Sequence, residues 1–357
     1  MKALYITSIE KFSGKTAILL ALGKRLQAEG YTIGYFKPVS YEATYSGTEI
    51  IDEDVTFVKN VLALPESPSE LAGAVINNER LPACLGSEEE CTFQEEIEEA
   101  YSHLLQNKEC DVMLLEGGGS LRQGYVLGVS TAYVAEMLDS TALAVVRYRG
   151  EMDVLDDALT AQYRLGKRLL GVIFNRVPAR ELDFMRERAI PYMEKQGIPV
   201  LGALIERPEL AAISVAELVE TLKANVLVRH DQDALVETLM IGAMGAQEAL
   251  SRFRRHQNKA VVTGGDRSDI QLAALDTNTT ALILTGNLTP SVTVLERAEA
   301  QGVSVLLVNE STMETIEAIE AVFGKTRLGQ PQKLARFEAL MADGVDYKRL
   351  FKLLDLA

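Results

Sequence analysis

No basic tract runs through this chain, and its 36 Lys and Arg against 51 Asp and Glu leave a formal net charge of −15. Nucleic acids and anionic membranes both demand concentrated Lys and Arg, so neither is an expected partner. Cysteine is scarce. Cys84, Cys91 and Cys110 show no metal-ligand spacing, and an odd count of three does not suggest a disulfide framework, so buried or incidental thiols are expected. The three histidines, His103, His230 and His256, are scattered, with no Ser/His/Asp or Cys/His arrangement, which argues against hydrolase triads and zinc sites. No apolar run reaches membrane-spanning length, and the N-terminus enters a strand pattern directly, without the charged and long apolar regions of a signal peptide. A cytoplasmic protein is expected.

What is present is chemistry for phosphate. Ser13-Gly14-Lys15-Thr16 sits where the apolar run Ala3-Leu4-Tyr5-Ile6-Thr7 gives way to an amphipathic one, Ala17 to Leu26. A strand, a tight loop with Gly-Lys-Thr and a helix make a phosphate-binding loop, in which backbone N–H groups and the helix N-terminus cradle phosphates. Lys15 is the candidate for the terminal phosphates and Thr16 the candidate Mg²⁺ ligand. The full pattern asks for glycine five residues before Gly14, and Ile9 stands there instead. Downstream, Asp111-Val112-Met113-Leu114-Leu115-Glu116 has the make-up of a buried strand ending in a carboxylate, followed by Gly117-Gly118-Gly119. Glycine lets backbone approach a ligand closely, and an acid at a strand's end beside the loop supplies the counter-charge a metal-bound phosphate needs. Glu116 is therefore assigned to the metal and Gly117 to the nucleotide.

At 357 residues the chain is long enough for about two domains of ~150 residues each. Strand patterns at Thr32 to Phe36, Asp111 to Leu115, Ala142 to Val146, Leu170 to Phe174 and Val200 to Ala203 alternate with helical ones such as Val154 to Leu165. This predicts an α/β fold with a mainly parallel sheet covered by helices on both faces. The segment from Glu42 to Glu99, broken by Pro65 and Pro68, is less regular and suits a lid or substrate loop. Its dense acidic stretch, Glu88 to Glu90 with Glu95-Glu96 and Glu98-Glu99, is expected to be a solvated helix face or loop. A helix-rich connection, Val215 to Lys223 and Asp233 to Phe253, then leads to a smaller α/β domain. Its strands are expected at Lys259 to Thr263, Thr280 to Thr285 and Val303 to Val308, and its helices at Ile270 to Leu275, Val292 to Ala300 and Met313 to Phe323. In it Thr263-Gly264-Gly265-Asp266-Arg267-Ser268-Asp269 follows a strand, where open α/β sheets hold ligands. A plain turn with an Asp cap gives a similar pattern.

The stretch Ser8-Ile9-Glu10-Lys11-Phe12-Ser13-Gly14-Lys15-Thr16 resembles the loop of the dethiobiotin synthetase family, an ATP-dependent ligase family. Lys37 in Tyr35-Phe36-Lys37-Pro38-Val39 is similar to that family's active-site lysine. Asp54 and Glu116 resemble its metal-linked acids, Asn175 its base-binding asparagine, and Leu201-Gly202 through Pro208 its closing segment. The similarity spans about residues 1–210. Asp266-Arg267 with Thr285-Gly286-Asn287 resembles the DRTGG domain, with asparagine in place of the last glycine. In this order the two domains look like the N-terminal part of long bacterial phosphotransacetylases, without the acetyl-transfer domain. The resemblance implies a P-loop domain over 1–210, a DRTGG-like regulatory or oligomerisation domain over 211–335, and a C-terminal helical tail over 336–357.

The resemblance assigns Lys15 and Lys37 to catalysis. Lys11, Ser13, Gly14, Lys15, Thr16, Gly117 and Asn175 would hold ATP, and Thr16, Asp54 and Glu116 would hold Mg²⁺. Gly264, Gly265, Asp266, Arg267, Thr285 and Gly286 form an effector site or a subunit contact. Where the family has threonine and glycine, this chain has Lys11 and Phe12, so the substrate half of the site is altered while the nucleotide half is kept. That pattern fits a cytoplasmic, homo-oligomeric, Mg²⁺-nucleotide-binding regulatory protein tied to acetyl-phosphate or acetyl-CoA metabolism, responding to a nucleotide or a small metabolic acid and partnering a metabolic enzyme. Slow ATP hydrolysis is compatible with it; phosphate acetyltransferase activity is not expected. The alternatives are an ATP-dependent ligase acting on a small molecule, kept open by Lys37, and a structural partner that has lost nucleotide binding, kept open by Ser8 and Phe12 at two glycine positions of the family's loop.

Overall fold

A computed structural model describes residues 1–357 apart from 48, 78–79, 87–90, 108, 324–330 and 357. The chain forms two compact units, Met1–Glu206 together with Leu328–Ala357, and Arg207–Arg327.

The first unit is built on strands β1 (Lys2–Ser8), β2 (Ile33–Ser40), β5 (Ala72–Val75), β6 (Val112–Glu116), β7 (Thr141–Arg147), β8 (Leu169–Val177) and β9 (Val200–Ile205). A short antiparallel hairpin, β3 (Thr44–Ser46) and β4 (Glu49–Ile51), lies between β2 and β5 in sequence. The seven long strands form one sheet in the order β5-β2-β6-β1-β7-β8-β9, every neighbouring pair parallel. Such strands are covered on both faces, which is why they read as continuous apolar runs instead of alternating ones. The register of β1 against β6 runs from Lys2 opposite Val112 to Ile6 opposite Glu116, so the loops after both strands emerge side by side.

Helix α1 (Lys15–Ala28) follows β1 directly. Ala17, Ile18, Leu19, Leu20, Ala21, Leu22, Gly23 and Leu26 are all buried, so it is not the one-striped amphipathic helix expected from the sequence. A helix apolar nearly all round is a buried one. Helix α2 (Glu53–Leu62) is capped by Asp52, whose side chain accepts from Val55 N. The irregular segment after β2 thus contains a helix and an edge strand, β5, that proline-based reading passed over. Glu88 to Glu90 lie outside the described residues, while Glu95, Glu98 and Glu99 are exposed on the helix Phe93–Asn107, as a solvated face. Cys84 and Cys91 are paired, their Cα atoms 5.8 Å apart, which corrects the expectation of incidental thiols for these two; Cys110 takes no part in a disulfide. The helices Pro331–Gly344 and Tyr347–Leu353, at the C-terminus, belong to this unit. Lys24 pairs with Glu338 at 3.1 Å, Arg349 grips Glu194 at 2.6 and 2.8 Å, and Asp346 N donates to Leu201 O at 2.8 Å.

The second unit carries β10 (Ile213–Ser214), β11 (Asn225–Val228), β12 (Leu235–Val236), β13 (Thr238–Ile241), β14 (Lys259–Gly264), β15 (Thr279–Thr285) and β16 (Ser304–Leu307). Its five-stranded sheet has the order β11-β16-β15-β14-β13, with β11 antiparallel and the rest parallel. Alternation along β14 divides two cores: Ala260 and Val262 pack with Val215, Leu218 and Leu222, and Val261 packs with Phe253, Ile270 and Ala274. The expected helix Asp233 to Phe253 is overturned in its first part. β12 and β13 occupy it, and only Ala246–Phe253 is helical. Pairing of Thr238 through Ile241 with Lys259 through Val262 satisfies the backbone in the sheet, and Gly242 and Gly245 separate that strand from the helix. Among the described residues no helix is long and apolar enough to cross a membrane.

Candidate functional site

The loop between β1 and α1 turns through left-handed backbone at Phe12 (φ 57°) and Gly14 (φ 96°). Gly14 adopts it freely. A bulky residue there is uncommon, and Phe12 does so with its ring 40% exposed at the surface. No side chain caps the first turn of α1, so its free N–H groups face the loop. Asn175, near the end of β8, reaches back and donates from Nδ2 to Ser13 O at 2.8 Å. A Cβ on Gly14 would stand 2.4 Å from that Nδ2. Gly14 is therefore required twice, for its backbone angle and for room.

Lys15 Nζ donates to Gly119 O at 2.8 Å and to Ser8 Oγ at 3.1 Å, which joins the loop after β1 to the loop after β6. Burial pulls its pKa down to about 8, against the opposing pull of Glu116. Lys11 is exposed, yet near enough for its charge to add to that lowering. Thr16 Oγ1 donates to Glu116 Oε1, and Tyr35 OH donates to Glu116 Oε2. Glu116 is 2% exposed. Burial raises its pKa, with Lys37 pulling down and Asp54 pushing up. The glycines beyond it allow close approach: a Cβ on Gly118 would fall 1.8 Å from Val39 O, and one on Gly117 would fall 3.1 Å from Ile6 O.

Lys37 projects from β2 into the same region and is 3% exposed. Its Nζ donates to Asp52 Oδ1 and Oδ2 at 3.1 and 2.8 Å and to Asp54 Oδ2 at 3.2 Å. Burial alone would lower its pKa, but Glu116, Asp54 and Asp52 together raise it, so the ammonium stays charged. Asp52, also 3% exposed, accepts from Ser40 Oγ as well. Burial tends to raise the pKa of Asp52, and Lys37 with these hydrogen bonds brings it below the ordinary value.

Of the residues expected from the sequence, Ser13, Gly14, Lys15, Thr16, Glu116, Gly117 and Asn175 thus converge on one loop, with Lys37 and Asp54 beside it. Asp54 reaches the group through Lys37, and its side chain is 54% exposed. Sequence reasoning passed over Asp52, Tyr35 and Ser40, and read Ser8 only as a departure from a loop glycine. Two signals were available: Asp52 stands three residues before Val55, an N-cap spacing, and Tyr35 alternates with Lys37 along one strand. Among the described residues no group of three His, Cys, Asp or Glu side chains forms a metal cluster.

In the second unit the effector candidates surround the ends of β14 and β15. Arg267 engages Asp269 through Nε at 3.0 Å and Nη2 at 3.1 Å, and Met244 O through Nη2 at 3.0 Å. Its fork is thus engaged by Asp269 in the turn and by Met244 O from the segment ahead of the helix Ala246–Phe253. Thr285 shares a hydrogen bond with Thr312 at 2.7 Å, and Gly286 and Asn287 both take left-handed backbone. A Cβ on Gly264 would stand 2.5 Å from Asp266 Oδ1, and one on Gly265 would stand 1.6 Å from Leu288 O. Gly265 thus permits close packing of the two loops.

Comparison with known proteins agrees with this architecture. The AAA domain (AAA_26) matches residues 2–214, and the DRTGG domain matches residues 217–322. The phosphate acetyltransferase of Nitratidesulfovibrio vulgaris is 25% identical over 97% of this chain and 51% of its own length. The ATP-dependent dethiobiotin synthetase of Bacillus cereus is 25% identical over 64% of this chain and 92% of its own length. A solved structure of the CBS and DRTGG domains of the regulatory region of Clostridium perfringens pyrophosphatase, complexed with diadenosine tetraphosphate, aligns at 20% identity and a TM-score of 0.29, covering 42% of this chain and 71% of that one. The chain spans about half the length of the phosphate acetyltransferases it matches, and it resembles their N-terminal part. By its P-loop, its parallel sheet and the match over most of its length, this chain belongs to the AAA domain family of type AAA_26, with a DRTGG domain following.

Proposed function

We propose that this chain is a Mg²⁺-nucleotide-binding regulatory protein, with ATP as its nucleotide, and that it acts in acetyl-phosphate or acetyl-CoA metabolism as the N-terminal regions of its phosphate acetyltransferase relatives would. The observation that carries the reading is the convergence of Lys15, Thr16 and Glu116 on a loop whose Ser13 Oγ is buried without a hydrogen-bond partner among the described residues. A buried hydroxyl of that kind is expensive unless something pairs with it, and a phosphate oxygen at the loop would do so. The donor set also fits the group: backbone N–H groups and an ammonium for phosphate, a hydroxyl and a carboxylate for a hard divalent cation. When bound, Mg²⁺ supplies charge neutralisation between the phosphates. Thr16 and Glu116 would hold it, Asp54 would take part from the rim, Gly14 and Lys15 would bind the phosphates, and Asn175, whose amide is engaged by Ser13 O and Arg176 N, would support the loop from behind. The second unit would serve as the oligomerisation or effector module, with a second copy of this chain or a metabolic enzyme as its partner in the cytoplasm. The direct test is the melting temperature with and without Mg²⁺-ATP: a ligand bound only by the folded state raises it by mass action. Lys15→Ala should abolish the rise, and an undiminished rise in that variant would overturn the reading.

A further inference from the structure

We propose that Asp52 is a positioning residue that withholds Lys37 from a bound nucleotide, which keeps the site binding instead of transferring phosphoryl groups. This rests on the nucleotide-binding reading of the loop. An ammonium has three N–H donors, and Lys37 has three carboxylate contacts, two to Asp52 and one to Asp54. Asp52 is itself fixed from behind by Ser40 Oγ and by Val55 N at 3.0 Å, as the cap of α2. Both partners are buried, so water does not compete for them. Two acids, Asp52 and Asp54, contact the one ammonium of Lys37, so the group offers no surplus positive charge to a transferring phosphoryl. Asp54 is the outer, half-exposed member and can swing away; Asp52 cannot.

The reaction held back is ordinary hydrolysis. Water oxygen forms a bond to the γ-phosphorus, the bond from that phosphorus to the β,γ-bridging oxygen breaks, its electron pair leaves on ADP, and the water proton passes to solvent. Asp52→Asn keeps a side-chain oxygen to cap α2 while removing the negative charge beside Lys37. ADP release from Mg²⁺-ATP should rise at least about tenfold, a part of the ~10²–10³ that one electrostatic donor supplies in such a transfer. Nucleotide affinity should stay within about threefold, a shift of under ~1 kcal/mol. Adding Lys37→Met to that variant should return the rate to the parent's. A folded Asp52→Asn with the parent's rate, or a gain that survives Lys37→Met, overturns the proposal. Asp52→Ser, which also retains a capping oxygen, is the second variant. A readout without nucleotide separates the two readings: acylation of the Lys37 amine, quantified by peptide mass spectrometry, should be faster in Asp52→Asn than in the parent. Equal labelling in folded proteins overturns the role of Asp52. Failure of the parent to bind nucleotide, with the labelling difference intact, overturns only the proposed function.

Discussion

Gly14→Ala probes the assembly of the phosphate loop at a single atom. Alanine at φ 96° carries the left-handed cost, about 1–2 kcal/mol. Its Cβ would also stand 2.4 Å from Asn175 Nδ2, so the amide must move and release Ser13 O, a hydrogen bond worth about 1 kcal/mol net and more where the group is left unpaired. The sum is about 2–4 kcal/mol. Asn175→Ala alone should cost about 1 kcal/mol, since it removes the bond without straining the loop. In the double variant the clash disappears while the backbone strain stays, so the two losses should fall short of additivity by about 1–2 kcal/mol. The chain has no tryptophan, so urea unfolding followed by far-ultraviolet circular dichroism is the suitable assay, read on the transition that belongs to the first unit. Additive losses, within about 0.3 kcal/mol, would mean that Asn175 does not pack on the loop as described.

Lys37→Met should destabilise the first unit by about 3–5 kcal/mol at neutral pH, because it leaves Asp52 charged and buried. The pKa of Asp52 is lowered in the fold, so the pair stabilises above the ordinary Asp range and that contribution is lost as pH falls through the folded value; the gap between parent and variant should close in acid, and a gap constant with pH would refute the pairing. Lys259, fully buried with its ammonium donating to His256 O at 3.1 Å and to Asn278 O, has its pKa drawn down to about 8 by burial. Between about 8 and its ordinary 10.5 the unfolded chain binds the extra proton, so the second unit should gain stability as pH rises there, by at most about 1.4 kcal/mol for each pH step of one, and Lys259→Met should flatten that slope. An unchanged slope in thermal melts from about pH 7.5 to 9.5 would remove Lys259 as its source. Arg267→Ala should lower the melting temperature slightly and leave the oligomer unchanged by light scattering, because its hydrogen bonds, to Asp269 and to Met244 O, end within the second unit. A changed oligomer would restore Arg267 as an interface residue.

Much of the fold was written locally. The strand patterns at Asp111 to Leu115, Ala142 to Val146 and Leu170 to Phe174 became β6, β7 and β8, because buried parallel strands need unbroken apolar runs that few other elements require. Gly-Lys-Thr after an apolar strand fixed the position of the phosphate loop, since only a strand-to-helix turn presents backbone N–H groups that way. The segment from Leu235 to Ile241 was not legible as strands: its residues suit either state, and the choice fell to β10 and β14, which offer partners to Leu235–Val236 and to Thr238–Ile241. Likewise, nothing in the sequence tells that Lys37 is bound by Asp52, fifteen residues on, or that Tyr35 reaches Glu116, eighty-one residues away. Local sequence decides backbone propensity and burial pattern; which buried charge faces which depends on the depth of each side chain in the closed sheet, where the low dielectric makes an unpaired charge too costly to leave. The sequence therefore determined that a phosphate loop, a strand-end acid and a second α/β unit exist, and the tertiary structure alone decided that the loop lysine bridges to Gly119, that Lys37 is held by two aspartates, and that Arg267 is shared between Asp269 and Met244 O.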